Sequence, residues 1–297
     1  MIFDYRLHVF RTAAKRLSFT KAGEDLFISQ PAVTKHIHEL ERQLNIKLFE
    51  RSGTRLKLTQ AGTILLKHSE QIFKTYRDLE FEINALMEKQ SGTLKLGAST
   101  TAAQYILPAA LVDFRKKFPD IIINLVIKNS DEILALLQRN EIDLGIIEGH
   151  TRDSSVKYRE FLKDEIVLVA NNNNPLAKNA SITLEELKEV PLLLREPGSG
   201  TLEVIAHALK DAGISVSDLK VEMQFSSSET IKLYMLHSNA MAFLSIHAIL
   251  KELNNHECSI VDVEDLNITR SFHFVHPHGL PVATAELFMK FVDHFFL

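Results

Sequence analysis

Val33, Ile37, Leu40 and Leu44 recur at helical spacing and predict a helix with one apolar stripe. Ser29 supplies a cap at its start, and Pro31 falls in the first turn, where a missing N–H costs nothing. Away from the stripe stand Gln30, Thr34, Lys35 and His38, all able to hydrogen-bond. Ala22 and Leu26 give a preceding short helix an apolar side to pack on the second. Helix-turn-helix proteins use this arrangement, with the start of the second helix reading base edges in the major groove. From Leu48 to Leu58 the pattern changes to alternation around a turn at Gly53. It predicts a two-stranded wing with Arg51, Arg55 and Lys57 placed to meet phosphates. Thr59-Gln60-Ala61-Gly62 then opens a further helix.

After Gly62 that helix reads through to about Lys89 with no internal Pro or Gly. Leu65, Ser69, Ile72, Tyr76, Leu79, Ile83 and Leu86 are spaced alternately by four and three and are flanked by charged residues. This is a heptad seam, and it predicts pairing with a second copy of the chain. The alternative is a helix lying along its own body.

Ser91-Gly92 break the helix, and the pattern turns to short apolar runs between helical ones. Strands are predicted over 93–98, 121–128 and 142–148, with helices over 105–118 and from Ser130 to about Arg139. The β-α-β-α-β order implies a parallel sheet with right-handed crossovers. A second such unit follows, with strands over 165–170, 192–195, 221–225, 240–244 and 259–263 and helices over 183–190, from Thr201 to about Ala212, and over 229–237. Near Asn267 the chain is expected to return to the first half with a strand over 268–275 and a closing helix over 282–296. The fold class expected is mixed: an all-α winged helix-turn-helix over 1–60, a linker helix over 61–90, and two α/β subdomains over 91–297. The first subdomain takes 91–162 and 268–297, and the second takes 163–267. Crossings near Leu162 and Asn267 would form a hinge.

A length of 297 residues suits two or three domains. The formal charge of −4 hides an asymmetry. Residues 1–60 hold 11 Lys and Arg against 6 Asp and Glu, a net of +5, and the remainder holds 23 against 32, a net of −9. A basic module on an acidic body fits phosphate binding by the module alone. The single cysteine, Cys258, excludes an intramolecular disulfide, a CxxC pair and a cysteine-based zinc cluster, and reads as an ordinary small residue near a strand start. No signal-peptide core and no run of 18 apolar residues are visible, so a cytoplasmic protein without a membrane span is expected.

Open α/β sheets bind ligands at the carboxyl ends of their strands. Ser99-Thr100-Thr101 follows the first strand and precedes a helix, where hydroxyls and free N–H groups suit an anion as well as simple capping. Gly198-Ser199-Gly200-Thr201 stands at another helix start, and its glycines let backbone N–H groups approach a ligand. Glu148 and Ser228 are further wall candidates, and Arg195 supplies either charge to the cleft or a surface salt bridge. The chain has no GxSxG, HExxH or GxxxxGK[ST], and its histidines show no metal-ligand pattern. No catalytic residue, metal or cofactor is therefore expected. His36 and His38 in the reading helix, and His276 and His278 in what reads as a loop, are expected on the surface or on DNA.

At the N-terminal residues a resemblance becomes specific. Phe10, Ser18-Phe19-Thr20-Lys21-Ala22, Leu26, Ser29-Gln30-Pro31-Ala32-Val33-Thr34, Ile37, Leu40, Glu41, Leu44, Leu48-Phe49-Glu50-Arg51 and Thr59-Gln60-Ala61-Gly62 resemble the winged helix-turn-helix of LysR-type transcriptional regulators. The likeness is close over roughly the first sixty residues and extends to the rest in architecture. Gly23 departs from it, since the family commonly has Ala there, and a mid-helix Gly costs about 1 kcal/mol of propensity.

The resemblance implies a DNA-binding regulator whose effector domain shares its fold with periplasmic solute-binding proteins. Gln30, Pro31, Thr34, Lys35 and His38 would read or line the major groove. Thr20, Arg51, Arg55 and Lys57 would hold phosphates. Linker helices would pair two chains, two dimers would join into a homotetramer, and RNA polymerase is a further candidate partner. The run from Arg195 to Thr201 resembles a branch that includes regulators of carbon fixation and sulfur metabolism, which points to a small anion or carboxylate as effector. Ala240-Met241-Ala242 departs from the glycines common there, so a tighter cleft floor is expected. The competing reading is a solute-binding protein or enzyme using the same cleft, and a third is a regulator whose cleft binds no metabolite.

Overall fold

Asp4, Ser18 and Ser29 each accept a hydrogen bond from a backbone N–H two or three residues ahead. They start helices α1 (Tyr5–Arg16), α2 (Phe19–Leu26) and α3 (Gln30–Leu44). Leu17, Phe27 and Asn45 end the same helices in the left-handed region, with φ of 46°, 55° and 50°. The structure, a computed structural model, describes residues 4–52, 55–86, 91–149, 153–179 and 181–296. The predicted turn at Gly53 lies outside them.

Val33, Ile37 and Leu40 of the apolar stripe are buried against Phe10 and Ala22, whereas Leu44, at the end of α3, is 48 % exposed. Gly23 is explained by what lies next to it. A Cβ there would sit 2.7 Å from the carbonyl oxygen of Ile28, and the Ile28 N–H bonds the Gly23 carbonyl at 3.0 Å. The tight turn into α3 uses the space that a methyl group would take. The wing is an antiparallel pair, β1 (Phe49–Ser52) and β2 (Arg55–Leu58), in register from Phe49↔Leu58 to Ser52↔Arg55.

Helix α4 (Gln60–Leu86) serves two surfaces. Leu65 packs on the core of the helix-turn-helix, Ser69 is fully buried, and Phe73 is 6 % exposed beneath Arg11, whose guanidinium lies 4.1 Å from the ring centroid. Those first two seam positions therefore face the chain's own module, because α1 runs alongside α4 there. Farther along, Ile72, Leu79 and Ile83 are 39 %, 40 % and 42 % exposed. The side chain of Leu86 lies outside the described residues.

The C-terminal unit, Gln90–Leu297, is built on one nine-stranded sheet. Strands β3 (Gly92–Ser99), β4 (Ile121–Lys128) and β5 (Leu144–Glu148) run parallel, connected by α5 (Leu107–Lys117) and α6 (Ser130–Gln138). Strand β6 (Val156–Asn171) leads into the second lobe. There follow β7 (Ser181–Ile182), α7 (Leu184–Glu189), β8 (Leu192–Arg195), α8 (Gly200–Asp211), β9 (Val221–Phe225), α9 (Ser228–Leu236), β10 (Met241–Ser245), α10 (Ile246–Asn254), β11 (Cys258–Ile260) and β12 (Asp262–Val263). Strand β13 (Ile268–Pro277) returns antiparallel to β6 along its length, and α11 (Ala283–Phe296) closes the first lobe. The sheet order is β4-β3-β5-β13-β6-β10-β8-β9, with β11 also on β6, so the two crossing strands tie the lobes together.

Several elements differ from the sequence pattern. Strand β6 begins at Val156, nine residues before the predicted start, because charges along Lys157–Glu165 mask its alternation. Helix α10 was hidden between two strand-like runs. The predicted strand over 259–263 is split in two, and the predicted helix over 105–118 opens with a π turn, Ala102–Ile106, before α5. His276 is not on a loop; it is buried in β13. Ala240-Met241-Ala242 fills the two cores of the second lobe, not the floor of a cleft.

Candidate DNA-reading face and effector cleft

In the N-terminal unit the buried stripe fixes what the opposite side of α3 presents. Gln30, Pro31, Lys35 and His38 are exposed and Thr34 is half-buried. Gln30 donates from Nε2 to the Thr34 hydroxyl at 2.8 Å, which presets two hydrogen-bonding groups along one face. Thr20, on α2, and Lys57, on β2, are also exposed. Arg51 and Arg55 stand on the two wing strands, one register step apart. His36 does not join this face: its ring packs edge-on against Tyr5, with centroids 5.4 Å apart.

Glu41, one of the residues that carry the family resemblance, has a structural role that its place in the sequence does not signal. Its carboxylate is 6 % exposed and accepts from the Leu48 N–H at 2.9 Å, the Phe49 N–H at 3.4 Å and Lys47 Nζ at 2.7 Å, with His38 Nδ1 at 3.3 Å. Burial by itself would raise this carboxyl. The bonds from Lys47, the two backbone N–H groups and His38 outweigh burial and hold it below the usual range. Glu41 thereby links the middle of the reading helix to the root of the wing.

In the C-terminal unit, the ten candidate effector residues gather along one seam between the lobes. Ser99 ends β3 and Glu148 ends β5, both on the first lobe. Gly198, Ser199, Gly200 and Thr201 lead into α8, and Ser228 starts α9, both on the second. Ser99 donates to Glu148, and Thr201 Oγ1 donates to Glu148 Oε1 at 3.4 Å. Thr101 lies 3.4 Å from Ser228 across the seam, and the Asp131 N–H donates to the Gly198 carbonyl at 3.2 Å. Burial, and then nearby Glu203, raises the Asp131 carboxyl. The hydroxyls of Thr100 and Ser199 are not joined to this web: both are buried without a partner among the described residues.

Arg195 is not on the surface. It is 2 % exposed, donates to Ser228 Oγ at 3.1 Å, and forms a two-pronged pair with Glu196 at 2.9 and 3.0 Å. Two further residues, Arg270 and Asp164, complete the seam and carried no sequence signal beyond their charge. Arg270 of β13 donates from Nε to Asp164 at 2.7 Å and from Nη1 to the Thr201 hydroxyl at 2.7 Å, and Nη1 lies 3.5 Å from Glu148 Oε1. Asp164 also accepts from the Ser245 hydroxyl at 2.8 Å. A second tie between lobes runs from the Tyr105 hydroxyl to Glu229 at 2.5 Å, and Glu229 pairs with Lys232, which pairs with Glu252. Burial and then Glu229 push the Tyr105 phenol upward. An open cleft of about 630 Å³ lies over the crossing strands, lined by Gly149, Lys163, Asp164, Ile246, Arg270 and His273 among others. None of the ten candidate effector residues lines it; Arg270 and Asp164 join the seam to it. Cys258 is buried in β11, and burial pushes its thiol up to about 11, which leaves it inert at neutral pH.

A winged helix-turn-helix followed by a two-lobed α/β unit with its polar seam at the strand ends is the build of a ligand-responsive DNA-binding regulator. The chain belongs to the LysR family: residues 5–63 match the bacterial regulatory helix-turn-helix protein, lysR family, and residues 88–296 the LysR substrate binding domain. It is 31 % identical to the HTH-type transcriptional regulator CysL of Bacillus subtilis (strain 168), over 93 % of this chain and 91 % of that one. It is 30 % identical to the HTH-type transcriptional activator CmpR of Synechocystis sp. (strain ATCC 27184 / PCC 6803 / Kazusa), over 98 % and 94 %. The regulatory domain of CcmR from Synechocystis PCC6803, solved in complex with 2-PG, superposes with a TM-score of 0.62 at 26 % identity, covering 69 % of this chain and 97 % of that domain. The protein is accordingly a DNA-binding transcriptional regulator with a domain for a small-molecule effector. No helix among the described residues is long and apolar enough to cross a membrane.

Proposed function

We propose that this regulator reads its operator with Gln30, Pro31, Thr34, Lys35 and His38, and holds phosphates with Thr20, Arg51, Arg55 and Lys57. It works in the cytoplasm as a dimer paired along Ile72, Tyr76, Leu79 and Ile83, with two dimers forming a tetramer. The apolar groups exposed along α4 support the pairing, since a stripe so spaced on a charged helix is suited to a partner helix. Its effector is a small anion or carboxylate bound at the seam between the lobes. Such a ligand shifts the regulator only by its differential affinity for two arrangements of the lobes. RNA polymerase fits as the partner through which the bound dimer acts.

The observation that carries the effector assignment is the pair of buried hydroxyls, Thr100 and Ser199, one on each lobe and both without a partner among the described residues. Buried polar groups are seldom left unpaired without a reason. Because neither hydroxyl makes an internal bond, Thr100→Ala and Ser199→Ala break none. A thermal-shift screen of the full chain against oxyanions, carboxylates and nucleotides is expected to yield a ligand. At a hundred times its Kd, that ligand should stabilise the fold by roughly 2.7 kcal/mol. Both substitutions should diminish the shift while leaving the unliganded melting point in place. A ligand shift unchanged in both variants would remove the effector from this seam.

A further inference from the structure

The groups that an anionic effector would use are already engaged by a side chain of the chain itself. Ser99 from the first lobe and Thr201 from the second both donate to Glu148, and Arg270 lies beside it. The donors are correctly poised for this. Ser99 Oγ accepts the Ala102 N–H at 3.2 Å and so points its own proton at Glu148, and Thr201 Oγ1 accepts from Arg270 and does the same. Glu148 is 2 % exposed, and the Arg270 side chain is 1 % exposed.

We propose that the Glu148 carboxylate is the resident occupant of the anion-binding end of the seam. An anionic ligand then gains Ser99, Thr201 and Arg270 only by taking its place. The proposal rests on the reading that the effector binds between the lobes. Charge supports displacement over addition. Two carboxylates, Glu148 and Asp164, already face the one guanidinium of Arg270, and a free anion beside them would set three negative charges against one positive. Arg270 also lines the open cleft over the crossing strands, and its buried Nη2 has no partner among the described residues.

The consequence is selectivity. A tethered carboxylate competes at the high effective concentration of an intramolecular ligand. A simple monocarboxylate therefore does not displace it, whereas a larger acid that adds contacts elsewhere in the cleft does. Without ligand the lobes are held together by the chain's own surrogate for one.

Chemical rescue on the full chain tests this. Glu148→Ala should melt below the parent protein. Formate and acetate at constant ionic strength should then raise its transition saturably, while acetamide does not. The same acids should leave the parent unmoved. Acids that raise both proteins equally, or acetamide that restores the variant as well as acetate, would overturn the proposal. Should Glu148→Ala fail to fold, Glu148→Gln keeps the shape and removes the charge. Its affinity for acetate by calorimetry should exceed the parent's by roughly tenfold, and equal affinities would overturn the proposal. The rescue is read without any effector, so a silent effector screen does not decide it. A failed rescue likewise leaves the hydroxyl test of the seam intact.

Discussion

Gly200→Ala is expected to force the two lobes apart and to be the most damaging single methyl group in the C-terminal unit. A Cβ on Gly200 would sit 1.9 Å from the Glu148 carbonyl oxygen, 2.6 Å from its carbonyl carbon and 2.7 Å from Ser130 Oγ. Two of these are backbone atoms at the end of β5, and they cannot rotate away. The first turn of α8 must withdraw, which takes Thr201 from Glu148 and Gly198 from the Asp131 N–H. Overpacking of this kind costs about 1–3 kcal/mol or more, and at roughly 2–4 °C per kcal/mol for a unit of this size the melting point should fall by about 2–12 °C. Hydrogen exchange should report the opening locally, with faster exchange at Ala102, Asp131 and Glu203. An unchanged melting point would mean that α8 does not press on β5.

Glu41→Ala is expected to uncouple the reading helix from the wing. The Leu48 N–H, in a residue only 1 % exposed, and the more weakly bonded Phe49 N–H would be left without their acceptor. At ~1–3 kcal/mol for a stranded buried donor, the N-terminal unit should lose about 3 kcal/mol, and operator affinity should fall with it. Glu41→Gln keeps an acceptor for the Leu48 N–H and loses chiefly the pair with Lys47, whose own side chain is 68 % exposed. It should therefore stay close to the parent. The pH dependence has a fixed sign. The folded carboxyl is held below its unfolded value, so its contribution is complete above the ordinary carboxylate range and is lost as pH falls through the lowered value. The parent should lose more stability than Glu41→Gln on acidification. Gel-shift titration with melting curves would check both parts, and an Ala variant that binds and melts like the parent would remove Glu41 from this role.

What the sequence revealed depended on the range of the physics. The reading helix was legible because its cap, its Pro in the first turn and its stripe are all local to fifteen residues. The short strands were legible for the same reason, β3 by its alternation and β5 and β8 as apolar runs. Strand β6 was not legible in its first half. Its partner, β13, lies about a hundred residues away, and nothing within Lys157–Glu165 distinguishes a charged strand from a loop. The seam followed the same rule. Residues at helix starts, such as Ser99 and Thr201, carry a local signature. Asp164 and Arg270 do not, because only their pairing across β6 and β13 makes them a site. The sequence leaves Arg195 open between the cleft and the surface, because only its distant partner Ser228, together with Glu196, shows what pays for its burial. Gly23 was read as a cost in helix propensity when its reason lies five residues on, at the Ile28 carbonyl.

An exposed polar face on α3, carried twice by a dimer, is expected to read DNA. Selection of bound duplexes from a random library by the full chain, followed by footprinting of the enriched sequence, tests it most directly. The expected result is an enriched site with two related half-sites separated by whole turns of about 10–10.5 base pairs. Gln30→Ala should relax preference at one position in each half-site, and Lys35→Ala should lower affinity for the site. Failure to enrich any sequence, a single isolated half-site, or the same site bound equally by both variants would contradict it.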